Sequence, residues 1–193
     1  MKRGKTRVAA AAAVLLGVLA AALGWPGSAS GEPKCGAAEI RIYKKEGALE
    51  LWCDGALRRS VPATFGGDPV GPKEREGDQK TPEGSYRIAS KVKSDRFHRF
   101  LAVSYPNAED RRRAADKGIT KLGFGIGIHG AKKSLAGVAR LWTRLAHATG
   151  MAGVWGPTDG CIGVTNEDAE MLFETVPVGA KVQIFPVRPP PKR

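Results

Sequence analysis

Two residues of this chain could carry covalent chemistry without help from a cofactor: the cysteine of "GPTDGCIGV" and a histidine in "GFGIGIHG". Cysteine is an effective nucleophile as thiolate, and a nearby histidine is the usual way to obtain one. His147 falls on the polar face of a helix-like stretch with Arg140 and Arg144, and His98 lies among arginines in "RFHRFLAV". His129 ends a glycine-rich, strand-like segment, where glycine lets a substrate backbone come close. It is the best partner for Cys161. Gly130 follows it and has no side chain to orient the imidazole, but a backbone carbonyl at Gly130 or beyond could do so. Backbone N–H groups around Gly160 and Cys161 would then form the oxyanion site. The competing reading is an inert buried cysteine with a structural histidine.

The compartment bears on that choice. Met1 to Arg7 holds four basic residues, Val8 to Leu23 is an unbroken run of apolar residues and glycine, and Ser28-Ala29-Ser30 follows Pro26. This is the pattern of a secretory signal peptide with cleavage near Ser30, an uncleaved N-terminal anchor being the alternative. The apolar run is shorter than the about 20 residues a spanning helix needs. Export favours disulfides. Cys35 and Cys53 flank a hairpin-like stretch, "EIRIYKKEGALELWC", and could come within bridging distance, although sequence leaves that pairing open. Cys161 is the natural free thiol of the three. The formal charge is +12, and loss of residues 1–30 leaves +8. Such a chain is drawn to anionic polymers. It carries no nucleic-acid module signature, and its histidines and cysteines lack metal-ligand spacing.

The elements that must position these residues read as mainly β with a few short helices. Strands are expected in "EIRIYKK", "ALELWC", "ALRRSVPATFG", from Ser85 onward, in "RFLAVSYP", in "GFGIGIHG" and in "AKVQIFPV". Asp54-Gly55 is a hairpin signal. "EDRRRAADKG" reads as a short helix closed by Gly118. Two amphipathic helices follow, one from Ser134 to Ala148 and one capped by Thr165 or Asn166, with Ala169, Leu172, Phe173 and Val176 as its buried stripe. The domain plan is a signal peptide at 1–30, a catalytic domain at 31–186 and a Pro-rich basic tail at 187–193.

The segments "IHG" and "TDGCIGVTNEDAEMLFETVPVGAKVQI", with "GPKEREGDQKTPEGSYRI" upstream, resemble the YkuD-type L,D-transpeptidases, in the branch that includes periplasmic murein-directed proteins. The resemblance runs from about Glu39 to Pro186. It implies a compact β-sandwich or barrel-like catalytic domain and a cysteine acyl-enzyme on the tetrapeptide stems of peptidoglycan. By position, Cys161 is the implied nucleophile and His129 the base; Gly160 lies in the oxyanion turn, and Thr158 matches the Ser/Thr position of the motif. Where many members have histidine two residues before the cysteine, this chain has Asp159, and where many have arginine two residues after it, Gly163. Arg87, Arg96, Arg99, Arg140 and Arg144 are candidates to replace that arginine. The longer stretch between His129 and Cys161, with the Ser134–Ala148 helix, reads as a cap over the cleft.

Trp155 and Tyr105 are candidates to line the cleft, each with a packing role as its alternative. Asp159 could orient the thiol or the incoming amine, or simply be a turn residue. The expectation is an exported monomer of periplasm or cell wall. It acts on peptidoglycan stem peptides, needs no cofactor or metal, and meets the membrane only through its signal peptide. A cysteine hydrolase on the same scaffold and a non-catalytic wall-binding module are the alternatives.

Overall fold

The structure, a computed structural model, describes residues 35–131 and 158–190. The expected signal peptide, the Ser134–Ala148 helix and Trp155 lie outside the described residues. Eight strands are described: β1 (Ala38–Tyr43), β2 (Ala48–Cys53), β3 (Ala56–Pro62), β4 (Gly84–Val92), β5 (Phe100–Val103), β6 (Gly127–His129), β7 (Ile162–Gly163) and β8 (Lys181–Phe185). Two helices join them, α1 (Ala108–Asp116) and α2 (Asn166–Thr175). The architecture is mostly β, as the composition and turn spacing imply. The strands form one sheet in the order β3-β2-β1-β8-β4-β5-β6-β7.

Alternation sets which face of the sheet is buried. Val61, Leu49, Ile42 and Ile184 are successive cross-strand partners from β3 to β8, and so are Leu51, Ile40, Val182 and Tyr86 from β2 to β4. All eight are buried. Each of the larger aliphatic side chains stabilises the fold by roughly 1.5–3 kcal/mol. The β2–β3 hairpin turns at Asp54 and Gly55, whose φ values are 52° and 81°, as the two-residue signal requires. Cys35 and Cys53 are joined by a disulfide with Cα atoms 5.2 Å apart, tying the entry of β1 to the end of β2.

Past β3 the chain reaches the other end of the sheet. Thr64 and Gly163 exchange backbone hydrogen bonds of 2.9 Å in both directions. The sheet therefore curls into a half-barrel, and residues 64–67 run beside β7. Helix α1 starts at a full capping box between Asn107 and Asp110, and Gly118, at φ 65°, lies just beyond its C-cap. Helix α2 is capped by the Thr165 side chain, which accepts from the Asp168 N–H. Its stripe of Ala169, Leu172 and Val176 is fully buried, with Phe173 half-buried, and the helix packs on β5 and β6.

One expected strand is shorter than its sequence suggested. "GFGIGIHG" supplies only the three residues of β6, because Gly123 and Gly125 both sit at φ 78°, outside the extended region. Phe124 between them is 86% exposed rather than buried. Residues 120–126 are a loop beside the cysteine.

Candidate active site

The register of β5, β6 and β7 builds the site. Leu101, Ile128 and Ile162 form a row of cross-strand partners, all with 0% exposure, pointing into the core. Residues one step away must point to the opposite face. On that face Phe100, His129 and Gly163 form one row. Cys161, one residue before β7, continues the register beside Gly127 and its partner Ala102. Cys161 and His129 are therefore diagonal neighbours on adjacent strands that lie about 4.8 Å apart. The residue between them on this face is Gly127, which has no side chain. A Cβ at Gly127 would also lie 2.3 Å from the Phe100 ring.

The imidazole is fixed by its surroundings. Its Nδ1 lies 2.7 Å from the Gly130 carbonyl oxygen. A carbonyl only accepts, so this contact puts the proton on Nδ1 and leaves Nε2 as the basic nitrogen of the neutral ring. Phe97 stacks on the ring with centroids 3.9 Å apart. Gly130 in turn donates to the His98 carbonyl at 2.9 Å, and Asn166 Oδ1 accepts from Ala131 N–H at 2.8 Å. A Cβ at Gly130 would sit 2.5 Å from that Asn166 oxygen, so glycine is required after the histidine.

The cysteine turn is built as tightly. Gly160 has φ 123°, and a Cβ there would lie 2.2 Å from the Lys80 carbonyl oxygen. Thr158 Oγ1 accepts from the Gly160 N–H at 3.3 Å and donates to the Cys161 carbonyl at 3.0 Å. Behind this turn lies the loop 73–81. Thr81 is wholly buried and its hydroxyl accepts from Gly66 N–H at 3.1 Å. Asp78 Oδ1 and Oδ2 take the Lys73 ammonium at 2.8 Å and the N–H groups of Glu74, Arg75 and Lys80 at 2.8–3.0 Å. Burial opposes the Asp78 carboxylate, but the Arg75 N–H, the Lys73 ammonium and the two other N–H groups outweigh it and hold its pKa at about 2. Lys73 also donates to the Asp159 carbonyl at 3.1 Å.

Burial pushes the Cys161 thiol up, and the Asp159 carboxylate adds to that rise. The Gly127 N–H and the charges of Lys73 and Arg96 pull the other way without cancelling it. The resting sulfur is a thiol, donating to the Gly125 carbonyl at 3.5 Å.

The structure brings together Cys161, His129, Gly160, Gly130, Thr158 and Asp159. Their contacts differ in part from the expectations. The Gly160 N–H is turned to Thr158, and Thr158 spends its hydroxyl inside the turn rather than toward a ligand. Asp159 is exposed, and its carbonyl makes the contact with Lys73. Tyr105 is a correction. It is 6% exposed, packs edge-on to Tyr86 and donates its hydroxyl to the Leu122 carbonyl at 3.2 Å, so it belongs to the core and not to a cleft wall.

Of the candidate arginines, Arg99 bonds Glu170 and Arg87 bonds the Gly179 carbonyl. Arg96 lies over Phe97, the ring that covers His129. Arg140 and Arg144 lie outside the described residues. Sequence reasoning missed Lys73, Asp78, Phe97 and Asn166; the Lys–Asp spacing within "KEREGD" was the one readable signal. Among the described residues no group of three or more His, Cys, Asp or Glu converges as a metal-binding set.

Comparison with known proteins finds relatives in sequence and in fold. A protein of Escherichia coli (strain K12), YafK, which bears the provisional name of an L,D-transpeptidase, is 27% identical over 165 residues, or 77% of this chain and 54% of YafK. The helical cell shape determining protein Pgp2 from Campylobacter jejuni has the same fold, with a TM-score of 0.55 at 21% identity, covering 79% of this chain and 49% of Pgp2. Bd1075 of Bdellovibrio bacteriovorus gives a TM-score of 0.53 at 20% identity, over 78% of this chain and 48% of that one. The chain spans about half the length of these relatives. The model of the L,D-transpeptidase catalytic domain, YkuD, matches residues 37–184. That span takes in every element of the site, and the chain belongs to the YkuD family of L,D-transpeptidase catalytic domains.

Proposed function

We propose that the protein is an exported cell-envelope L,D-transpeptidase: residues 1–30 direct its export, residues 31–186 form the catalytic domain, and Cys161 becomes acylated by peptidoglycan stem tetrapeptides. The observation that carries this reading is the pairing of β6 with β7, which sets a cysteine and a histidine of fixed tautomer on one face of the sheet. His129 Nε2 takes the thiol proton as Sγ attacks the carbonyl carbon at the L-centre of the donor. The Cys161 N–H receives the developing oxyanion. Collapse of the tetrahedral species breaks the C–N bond to D-alanine, whose amine leaves with the proton held by His129, and a thioester remains. An acceptor amine then gives His129 a proton, attacks the thioester and restores the thiol. Burial favours the neutral thiol, so a base at His129 is needed to take its proton.

Water as acceptor is the second reading. Gly163, in the row of His129, projects no side chain where many family members carry arginine, and so supplies no cation there to hold the acyl group against water. The test is intact mass of the protein after incubation with a tetrapeptide muropeptide, beside Cys161→Ala, with analysis of products. An adduct on the wild type alone, with dimeric products, is the expected result. Trimmed monomers alone would assign hydrolysis. Absence of adduct and turnover, with murein binding retained by Cys161→Ala, would overturn both in favour of a wall-binding module.

A further inference from the structure

Lys73 is 5% exposed, unusual for a lysine. A buried ammonium is costly unless it is paired and hydrogen-bonded. Asp78 supplies the pairing at 2.8 Å. The loop 73–81 does not need Lys73 for its own shape, because Asp78 already gathers three backbone N–H groups of that loop. The remaining contact of Lys73 reaches out of the loop, to the carbonyl of Asp159, two residues before Cys161. The same loop presses the Lys80 carbonyl against Gly160 and the Gln79 carbonyl against Gly66, so its backbone forms the rear wall of the cysteine turn.

We propose that Lys73 is a positioning residue for Cys161: anchored by Asp78, its ammonium holds the Asp159 carbonyl and fixes the turn that presents the sulfur. The inference rests on Cys161 being the nucleophile of the proposed function. It gives the "KEREGD" stretch a task in the chemistry beyond that of a surface turn. Among the described residues, the charged and titratable groups that bear on the sulfur include Lys73, Arg96, His129 and Asp159. Asp159 opposes the thiolate, and Lys73 offsets it from the main-chain side of the same residue. With Gly163 in the motif's arginine position, Lys73 and Arg96 are, among the described residues, cations whose charges favour the thiolate.

The test is the pH profile of iodoacetamide alkylation of Cys161 in the full chain, with kcat and KM for a stem tetrapeptide measured in parallel. Three variants are compared: Lys73→Met, Lys73→Arg and the double variant Lys73→Met/Asp78→Asn. The double variant removes the pair without leaving a buried charge, and circular dichroism and thermal melting verify its fold. In folded Lys73→Met the alkylation profile should move to higher pH, with alkylation at neutral pH slowed roughly threefold to tenfold, the size expected of one lost partly screened charge; the double variant, which loses the Asp78 charge as well, should move the same way by less. The loss in kcat should exceed the change in KM, and Lys73→Arg should restore most of the profile. A folded double variant whose alkylation profile and kcat match the wild type would overturn the proposal and reduce Lys73 to a loop staple. If the wild type turns over no stem peptide and the profile still shifts, the positioning role stands and the transpeptidase reading falls.

Discussion

In β3, β2, β1 and β8 the strands run five to seven residues, and their buried rows are built mainly from Leu, Ile and Val. In β5, β6 and β7 they run four, three and two residues, and glycine occupies positions where a side chain would collide. The first region is held by volume: many aliphatic residues of similar size would fill the same rows. The second adds to its short core row close approaches at glycine, Gly127 against the Phe100 ring and Gly160 against the Lys80 carbonyl, where one added carbon is too many. The difference suits the two tasks. A scaffold needs a tight seal around its core, and a nucleophile needs placement within a fraction of an ångström.

Gly160→Ala should have the largest effect and is the sharpest probe of the second region. The new Cβ would meet the Lys80 carbonyl at 2.2 Å, and φ 123° suits only glycine. No rotamer relieves a clash with backbone, so the turn must move. We expect kcat/KM to fall at least about a hundredfold, the order of loss that a misplacement of about 1 Å produces. Turnover within a few-fold of wild type would show that the turn tolerates movement, and the contrast between the regions would fail.

Leu51→Ala is the matched probe of the first region. Leu51 is fully buried between Ile40 and Arg59 in the sheet register. Its truncation should cost about 3 kcal/mol by loss of burial and creation of a cavity. That loss would be read as a lower urea midpoint with unchanged slope. Below the melting range, alkylation of Cys161 should match the wild type. A changed alkylation rate in a fully folded Leu51→Ala would mean that the scaffold transmits strain to the site.

The same contrast decides what the sequence could reveal. Long strands write alternation over enough residues to be read, and their turns carry marks such as Asp54-Gly55; both are found where expected. The helix from Asn166 is legible from its cap and its stripe of Ala169, Leu172 and Val176. A strand of two residues has no period, so β7 was invisible as a strand. "GFGIGIHG" misled because glycine fits extended and left-handed backbone alike, and only the three-dimensional context selects one. Cys161 and His129 could be named from residue type and neighbouring glycine. Lys73 and Asn166 could not, because each acts on a main-chain atom far away in sequence, and no side-chain pattern records which carbonyl a lysine will reach; Asp78 acts locally, but what its loop supports lies elsewhere in the chain. Tyr105 shows the reverse: an aromatic beside a proline reads equally as wall or core, and burial alone separates them.

Acid should separate the two regions with a smaller effect. The Asp78 carboxylate is held at about 2 in the folded chain, against about 3.9 in an unfolded one. A depressed carboxylate contributes stability that is fully present above the unfolded value and is lost as pH falls through the folded value. Asp78 should therefore contribute about 2 kcal/mol at neutral pH, fading between about pH 4 and pH 2. Its bonds all lie within residues 73–80, so the loss should fall first on the loop behind the cysteine turn. Hydrogen exchange at pH 3, corrected for intrinsic rates, should show 73–81 opening while β1 and β2, which carry the lowered carboxylates Glu39 and Glu50 but are held by their aliphatic rows, keep their protection. Asp78→Asn should flatten the dependence of stability on pH in this window and leave the β1–β2 region unchanged. If 73–81 and the β1–β2 hairpin instead lose protection together as the pH falls, the loop is bound into the global unfolding unit, and the two regions differ in how they are packed but not in how they come apart.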